Sequence, residues 1–439
     1  MVGLALIALA AALEAGAARA VITPDLKVHG PVYMAGFGNN RIATGVHDDL
    51  YARCFAFKAA TTLVICGVDS IGLFLDDTDR IRSLVAKQIK ASVIIAASHT
   101  HQGPDTMGLW GLDGKTGINE AYMSLVTRQT AQAAIDAVKS LQPATLTIAE
   151  THPGELDTFI HDSRPPDRHD AQLYAVKAVD AKGQTIATLI NWANHPEALA
   201  SKNTLITADY VNSLRTTVEA KLGGISVFVN GAIGGMQSPL NTKLADLKDG
   251  TFEKADYIGR RVGEIAIQAL AQSQPSSIDT VEFKEVRINI PLTNKGFAQA
   301  MALNLYAGRK PLNKNGTTTT IVGAFRFSNK NRPVLECALI PGEMYPELSI
   351  GGVERYLGAD FPEAPIETPI KHLLQAPYKM LIGLANDEIG YIIPKAEWDE
   401  TAPWLQDAKN RWYGEVNSIG PDAAPYIAKT LEKLLKNAN

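Results

Sequence analysis

Two histidines separated by a single residue follow a short apolar run in the first quarter of the chain. His99 and His101 come directly after residues 93–97 and just before Gly103-Pro104. In an extended segment alternate side chains share a face, so both imidazoles can point into one cavity. The ends of strands are where α/β proteins place their ligand sites. The tripeptide therefore suggests a zinc site, although one histidine capping a turn and the other in solvent would also fit.

A second histidine lies at the end of another apolar run. Residues 185–192 lead into Asn194-His195-Pro196. A lone His-Pro pair is usually structural, but zinc needs three or four nitrogen or oxygen ligands from separate elements. Two histidine sites at strand ends therefore favour a metal centre. Asp209 could orient such a ligand or cap a helix.

Two later segments offer oxygen ligands. Glu343 follows the apolar run 334–340 in a Pro-Gly turn, and Tyr391 follows the acidic residues 387–388. Taken singly, Glu343 also fits a surface turn, and Tyr391 also fits a core aromatic residue with a satisfied hydroxyl.

A glycine-rich segment, residues 231–239, ends in Ser238-Pro239 after a predicted strand. Glycines let a backbone approach a ligand and expose N–H donors, as an oxyanion site requires. The segment contains neither a G-x-S-x-G elbow nor a Walker lysine, which argues against serine-hydrolase and P-loop chemistry. A plain glycine turn remains the alternative.

The elements that must position these residues alternate between strand and helix patterns, which indicates α/β layering. Strands are predicted at 55–58, 63–68, 93–97, 144–150, 171–179, 185–192, 226–230 and 280–290, and helices at 76–90, 119–141, 255–272 and 422–436. Residues 274–277 are the nearest thing to a linker, and residues 313–320 form a predicted polar loop. With no repeat or low-complexity tract, one continuous catalytic domain over residues 16–439 is the simplest partition.

Composition excludes some partners. With 42 basic and 46 acidic residues, a formal charge of -4 and a pI near 6.2, the chain has no basic field for a phosphate backbone. Nucleic acid is therefore not expected as a partner. The three cysteines lack a Cys-x-x-Cys pair and are expected to be buried and unpaired.

The first residues are apolar over a length too short to span a bilayer. Residues 1–15 resemble the h-region of a secretory signal peptide, although a basic start is missing. We therefore expect export to the periplasm or the medium, with no transmembrane segment and only transient contact with membrane surfaces. A hydrophobic first strand is the alternative.

Together, and in this order, the motifs resemble the neutral/alkaline non-lysosomal ceramidases. The resemblance runs over nearly the whole chain, through residues 21–24, 45–48, 98–104, 191–196, 231–239, 341–343, 386–391 and 420–421. It implies an α/β (mixed α+β) catalytic domain in which layered mixed sheets are flanked by helices.

The resemblance also implies a site. One Zn²⁺ per chain would be held by four residues: His99, His195, Glu343 and Tyr391. His101 would face the substrate carbonyl or the attacking water, and Arg164 would face the substrate. A histidine or Ser238 would handle the proton delivered to the leaving amine.

Three departures from the family concern the substrate and the serine. The turn at residues 235–240 keeps Ser238 but has Met236 and Leu240 where the family has acidic and amide residues. The late tyrosine of the family is matched only by Trp412 or Tyr413. The C-terminal immunoglobulin-like domain of ceramidases has no counterpart in these residues, so ceramide itself is not secured as the substrate.

The predicted function is hydrolysis of an N-acyl amide bond by a zinc-activated water. An esterase, a lactonase or a small-molecule amidase on the same scaffold is the nearest alternative. A non-catalytic binding protein on a decayed hydrolase fold is the alternative from another class.

Overall fold

The computed structural model describes residues 13–244, 246–303, 305 and 313–436. Within them the strands are β1 (Glu14–Val21), β2 (Gly45–Val46), β3 (Tyr51–Ala59), β4 (Thr61–Val68), β5 (Ser92–Ala97), β6 (Gln142–Glu150), β7 (His161–Asp162), β8 (Tyr174–Asp180), β9 (Thr185–Trp192), β10 (Leu205–Ile206), β11 (Ile225–Asn230), β12 (Gln237–Ser238), β13 (Pro275–Ser276), β14 (Thr280–Pro291), β15 (Thr317–Asn329), β16 (Arg332–Leu339), β17 (Glu343–Met344), β18 (Tyr378–Ile382) and β19 (Tyr391–Ile392). The helices are α1 (Leu75–Ala86), α2 (Glu120–Lys139), α3 (Tyr210–Leu222), α4 (Phe252–Gln272), α5 (Lys295–Ala302), α6 (Pro346–Ile350), α7 (Ile370–Leu373), α8 (Tyr413–Val416) and α9 (Ala423–Lys436).

Two sheets stack face to face between two layers of helices. The large mixed sheet has the order β11-β9-β8-β6-β1-β3-β4-β5, with β13 added beside β6, and the small sheet has the order β14-β15-β16-β18. Helices α1 to α4 cover the outer face of the large sheet, and α9 packs on the small sheet. The expected mixed α/β fold with layered sheets flanked by helices is confirmed.

Strand β3 shows how the sequence builds these layers. Its side chains alternate between Cys54 and Ala56, which pack under the helices, and Phe55 and Phe57, which pack against the small sheet. Successive strand side chains point to opposite faces, so a strand buried on both faces must be apolar throughout. This explains why the strands of the large sheet appear as continuous apolar runs.

The large sheet bends so that its two far ends approach each other. Gly67 of β4 lies against β11, and a Cβ atom there would be 2.3 Å from the carbonyl oxygen of Phe228. Just beyond these strands, the Asn230 side-chain amide donates to the carbonyl of Ser98 at 2.6 Å. The bend brings the carboxyl ends of β5, β9 and β11 to one place.

Some local predictions need correction. Residues 275–276, expected in a linker, pair with β6, and β15 begins at Thr317 inside the expected polar loop. Two cysteines expected to be unpaired, Cys54 and Cys66, form a disulfide. They face each other across the β3–β4 hairpin with Cα atoms 4.1 Å apart, and this register could not be seen from their spacing. Cys337 is free and buried, as expected.

Most of the expected signal segment, residues 1–12, lies outside the described residues. Strand β1 begins at Glu14, inside that segment, and Ala15 in it is fully buried. The folded part therefore starts before residue 16. Among the described helices, none combines the length and apolar character that a membrane span requires.

Candidate metal centre

Three histidine rings meet where the strand ends converge. His99 and His101 follow β5, and His195 follows β9. The ring centroids lie 4.8 Å apart for His99 and His195, 4.9 Å for His99 and His101, and 5.3 Å for His101 and His195. All three residues are buried, with at most 5% of their surface exposed. His99 adopts φ 69°, a left-handed conformation that is uncommon and costly for a non-glycine residue.

Backbone carbonyls fix the orientation of two of these rings. The Nδ1 atom of His99 lies 2.5 Å from the carbonyl of Ile71, and Nδ1 of His195 lies 2.8 Å from the carbonyl of Gln237. A carbonyl can only accept, so each Nδ1 carries a proton, and when the ring is neutral its Nε2 presents a lone pair to the centre. Metal-binding histidines are usually held in this way.

The two oxygen candidates are adjacent because β17 and β19 pair in parallel. The register places Glu343 beside Tyr391, and the two side chains share a hydrogen bond. The Oε2 atom of Glu343 lies 3.1 Å from Nε2 of His195 and 3.6 Å from Nε2 of His99. Residues spread over 293 positions of the chain, from 99 to 391, therefore meet at one point.

These donors fit a zinc ion. Ligand atoms about 2.0–2.2 Å from one tetrahedral ion are roughly 3.3–3.5 Å apart, and the separations from Glu343 bracket that value. His99, His101 and His195 also form a group whose ligand atoms all lie within 4.8 Å of one another. A buried cluster of this kind can hold a metal ion.

Burial and mutual attraction set the protonation of the cluster. Burial lowers the pKa of His99 to about 4, against the attraction of Glu343. Burial alone would raise the pKa of Glu343, but His99 and His195 outweigh it and lower that pKa. Burial opposes charging of His195, yet Glu343 and Glu197 raise its pKa on balance. The centre favours a bound positive charge.

A carboxylate that the sequence analysis did not single out lies beside the third ring. Nδ1 of His101 lies 3.2 Å from Oε2 of Glu197, which is fully buried. Burial lowers the pKa of His101 well below its ordinary value, with His99 and His195 adding to the effect. Glu197 stands two residues after His195, and this closeness was the one signal in the sequence that could have revealed it.

Ser238 lies on the side of the centre that faces away from the cleft described below. Its hydroxyl donates to Oε1 of Glu197 and also accepts from the backbone N–H of Leu240 at 3.1 Å. Neither Ser238 nor any other residue of the 231–239 segment lines the cleft described below. Gly234 donates its N–H to Met344, so the glycines serve close packing, and the structure gives no support to an oxyanion role for this turn.

Arg164 also lies away from the cleft, where it is held by protein groups. Its Nη1 atom donates to Glu415 at 2.7 Å and to the hydroxyl of Tyr345 at 3.2 Å, and Nη2 donates to the carbonyl of Glu397 at 2.6 Å. The Tyr345 ring contacts Tyr391 edge to face, with centroids 6.2 Å apart. Arg164 is thus one layer removed from the metal donors, and it is not brought to the substrate side in this structure.

Asp209 and the two late aromatic residues have different positions relative to the centre. Asp209 is the N-cap of α3 and accepts from the N–H groups of Ala198 and Leu199, so it braces the loop that carries His195. Of the two late aromatic residues, Tyr413 lines the cleft and contacts Tyr391, whereas Trp412 donates its indole N–H to Asp399.

An apolar cleft leads to the metal donors. About 690 Å³ of empty space, open solvent included, lies between its walls, and its lining contains His99, His101, Glu343 and Tyr391. The rest of the lining is mostly hydrophobic and includes Ile71, Phe74, Met107, Trp110, Phe297 and Ile389. A group with an apolar chain and one polar end would suit this shape.

Comparison with known proteins finds similarity in sequence and in structure. No family model matches the chain. Neutral ceramidase B of Dictyostelium discoideum is 25% identical over 203 residues, which cover 40% of this chain and 28% of that protein. The match thus spans less than a third of the length of that relative.

Two solved structures share the fold. The neutral ceramidase of Pseudomonas aeruginosa superposes with a TM-score of 0.72 at 18% identity, over 97% of this chain and 74% of that one. A ceramidase described as complexed with C2 gives the same TM-score at 17% identity, over 97% and 75% of the two chains. The resemblance read from the motifs is therefore confirmed: the chain has the neutral ceramidase fold, and a neutral ceramidase is among its relatives in sequence.

Proposed function

We propose that this protein is a zinc-dependent hydrolase of N-acyl amide bonds. The observation that supports it most is the convergence of three inward-facing acceptors, Nε2 of His99, Nε2 of His195 and Oε2 of Glu343, at the inner end of an apolar cleft. A zinc ion bound by such donors lowers the pKa of a water to about 7 and polarises a carbonyl.

The residues of the chain have distinct tasks in this proposal. His99, His195 and Glu343 hold the metal, and Tyr391 is a weaker fourth ligand that also hydrogen-bonds Glu343. His101 lines the cleft beside them and is free to contact the reacting group through Nε2. We assign no contact with substrate to Ser238 or Arg164, because neither lines the cleft.

The shape of the cleft bears on the substrate. Burial of an apolar chain against hydrophobic side chains contributes about 25 cal/mol per Å² of apolar surface, and the same cleft is lined by the donors His99, Glu343 and Tyr391. We therefore propose that the acyl or alkyl chain of the substrate lies along the cleft, with the scissile amide at the metal. Ceramide is one member of this class, and the solved relatives are named for it.

We further propose that the folded part of the chain, from Glu14 onward, works as a single catalytic domain in an exported protein. The disulfide between Cys54 and Cys66 supports export, because disulfides persist in oxidising compartments and are rare in the cytosol.

Metal content and turnover test the proposal together. Protein purified without added metal should contain about one zinc per chain by elemental analysis and should hydrolyse N-acyl chromogenic substrates. Treatment with a chelator should abolish hydrolysis and added zinc should restore it. Full activity in the metal-free protein would refute the mechanism.

A matched pair of substrates separates the alternatives. A chromogenic N-acyl amide and its O-acyl ester should be compared at several acyl chain lengths, with kcat/KM highest for the amide. A preference for the ester that persists across chain lengths would indicate an esterase or lactonase. Stoichiometric zinc without turnover of either series would indicate a binding protein.

A further inference from the structure

We propose that Glu197 is the positioning residue of the third imidazole, and that Ser238 acts through Glu197 rather than on the substrate. Glu197 fixes the His101 ring with Nδ1–H toward itself and Nε2 toward the cleft. Only the effect of this orientation on the reaction rate rests on the proposed function.

A buried ring nitrogen and a buried carboxylate oxygen, which can serve as donor and acceptor, support this assignment. Oε2 of Glu197 and Nδ1 of His101 lie 3.2 Å apart, and neither atom makes a hydrogen bond of good geometry in this structure. The Gly36 backbone also approaches this ring. A buried polar atom without a partner is costly, so the two are expected to satisfy each other. Hydrogen bonds in active sites are often poorly aligned until substrate binds.

The second support is the way in which the other oxygen of Glu197 is held. Oε1 accepts from the Ser238 hydroxyl, which leaves Oε2 for His101. The backbone reinforces this arrangement, since the N–H of His101 donates to the carbonyl of Pro196 at 3.0 Å. The loop carrying Glu197 and the loop carrying His101 are thereby joined on both sides of the ring.

The three histidines differ in the groups that lie beside their Nδ1 atoms. His99 and His195 rely on backbone carbonyls, which no substitution can remove, and their Nε2 atoms lie beside Glu343. Beside Nδ1 of His101 lies instead a side-chain carboxylate, which is buried at considerable cost. Burial of the Glu197 carboxylate is therefore explained by its role in orienting His101 for the reaction.

The ring is also confined by its packing. Gly36, at φ 98°, lies so close that a Cβ atom would be 2.4 Å from Cγ of His101, and the ring of Phe37 packs edge to face with centroids 5.2 Å apart. The ring plane is therefore fixed by packing, and the carboxylate decides which nitrogen carries the proton.

Nitrogen-15 NMR of the histidine rings tests the structural part without turnover. In zinc-loaded protein, with His101 assigned from its disappearance in H101Q, the ring should carry its proton on Nδ1. In E197Q the ring protonated on Nδ1 should no longer be the major form of His101. A wild-type ring protonated on Nε2 would overturn the proposal, and this result is independent of whether the protein hydrolyses amides.

Kinetics test the functional part. E197Q should lower kcat about 10- to 100-fold with KM within about threefold and zinc content unchanged, as expected for an outer-shell partner. E197D should recover part of the loss, and S238A should lose less than E197Q. E367Q is the matched control, because Glu367 is a buried carboxylate away from the cleft.

Three kinetic results would contradict the assignment. Wild-type kcat in E197Q would remove the role of Glu197. Loss of zinc from E197Q would assign His101 to the metal instead. A loss in S238A far greater than that in E197Q would return Ser238 to direct catalysis.

Discussion

The metal centre and the cluster around Arg164 are both buried and charged, and they touch through Tyr345 and Tyr391, but they are built on opposite principles. In the arginine cluster, formed by Arg164, Tyr345, Glu397 and Glu415, both Nη atoms of the guanidinium have acceptors within 2.6–3.2 Å. In the metal centre the inward-facing atoms of His99, His195 and Glu343 are all acceptors.

This difference separates a structural cluster from a ligand site. Donors and acceptors that match need nothing further, and such a cluster stabilises the fold. Acceptors that face one another at 3.1–3.6 Å require a cation or a proton between them. Buried charge alone therefore does not identify a site, whereas an excess of acceptors at one point does.

The largest effect should come from removing one acceptor of the metal centre. H195A should lose zinc and reduce kcat/KM by at least about 10³-fold, because the remaining donors cannot hold the ion. Circular dichroism should show the fold retained. H152A, in an exposed turn, is the control and should keep both zinc and rate. Zinc content and rate near wild type in H195A would place the metal elsewhere.

Removing a charge from the arginine cluster should affect stability instead. R164M leaves Glu415 buried without its cation, which should lower the free energy of unfolding by about 3–5 kcal/mol. Zinc content should stay near one per chain, and E415Q combined with R164M should regain part of the loss. Denaturant titrations of the four proteins measure this coupling.

The opposite result would revive the substrate-facing role that the family resemblance implies for Arg164. In that case R164M would unfold at nearly the same denaturant concentration as the wild type and lose activity by more than about 100-fold.

The contact between the two regions should matter less. Y391F removes the hydroxyl that hydrogen-bonds Glu343 and should lower kcat about 10-fold, roughly 1.4 kcal/mol of transition-state stabilisation. Zinc should be retained, because two imidazoles and a carboxylate remain. Y426F, at a half-exposed tyrosine of α9, serves as control. Complete loss of zinc from Y391F would make the phenol a principal ligand.

The smallest effect should be a change in how stability depends on pH. Burial raises the pKa of Asp162, beside the arginine cluster, to about 8 from an ordinary 3.8. The folded state then binds a proton that the unfolded state releases, so this carboxyl lowers stability as pH rises from about 4 to about 8.

D162N should remove that dependence. Relative to wild type, its free energy of unfolding should rise by about 1 kcal/mol or more between pH 4 and pH 8, since each pKa unit is worth about 1.4 kcal/mol. Urea titrations at both pH values provide the measurement. Parallel stability curves for the two proteins would show that Asp162 ionises normally.

The sequence by itself determined the elements and the donors. Continuous apolar runs specified strands buried on both faces, and the positions of His99 and His195 just after such runs placed them at strand ends. Glu343 and Tyr391 were candidates from their own segments, and the family resemblance joined them to the two histidines. The structure brings them together because their two short strands pair in parallel.

Tertiary structure decided which ends meet and which way the polar side chains point. In the order of the sheet, β5 and β11 are at opposite ends, and only the bend that brings Gly67 against Phe228 unites them. The partners of Arg164 and the carboxylate beside His101 depend on the same long-range geometry, whereas the Cys54–Cys66 pairing depends on the register of the β3–β4 hairpin. Local sequence fixes periodicity and chemistry, but distances between remote strands arise only when the whole core packs.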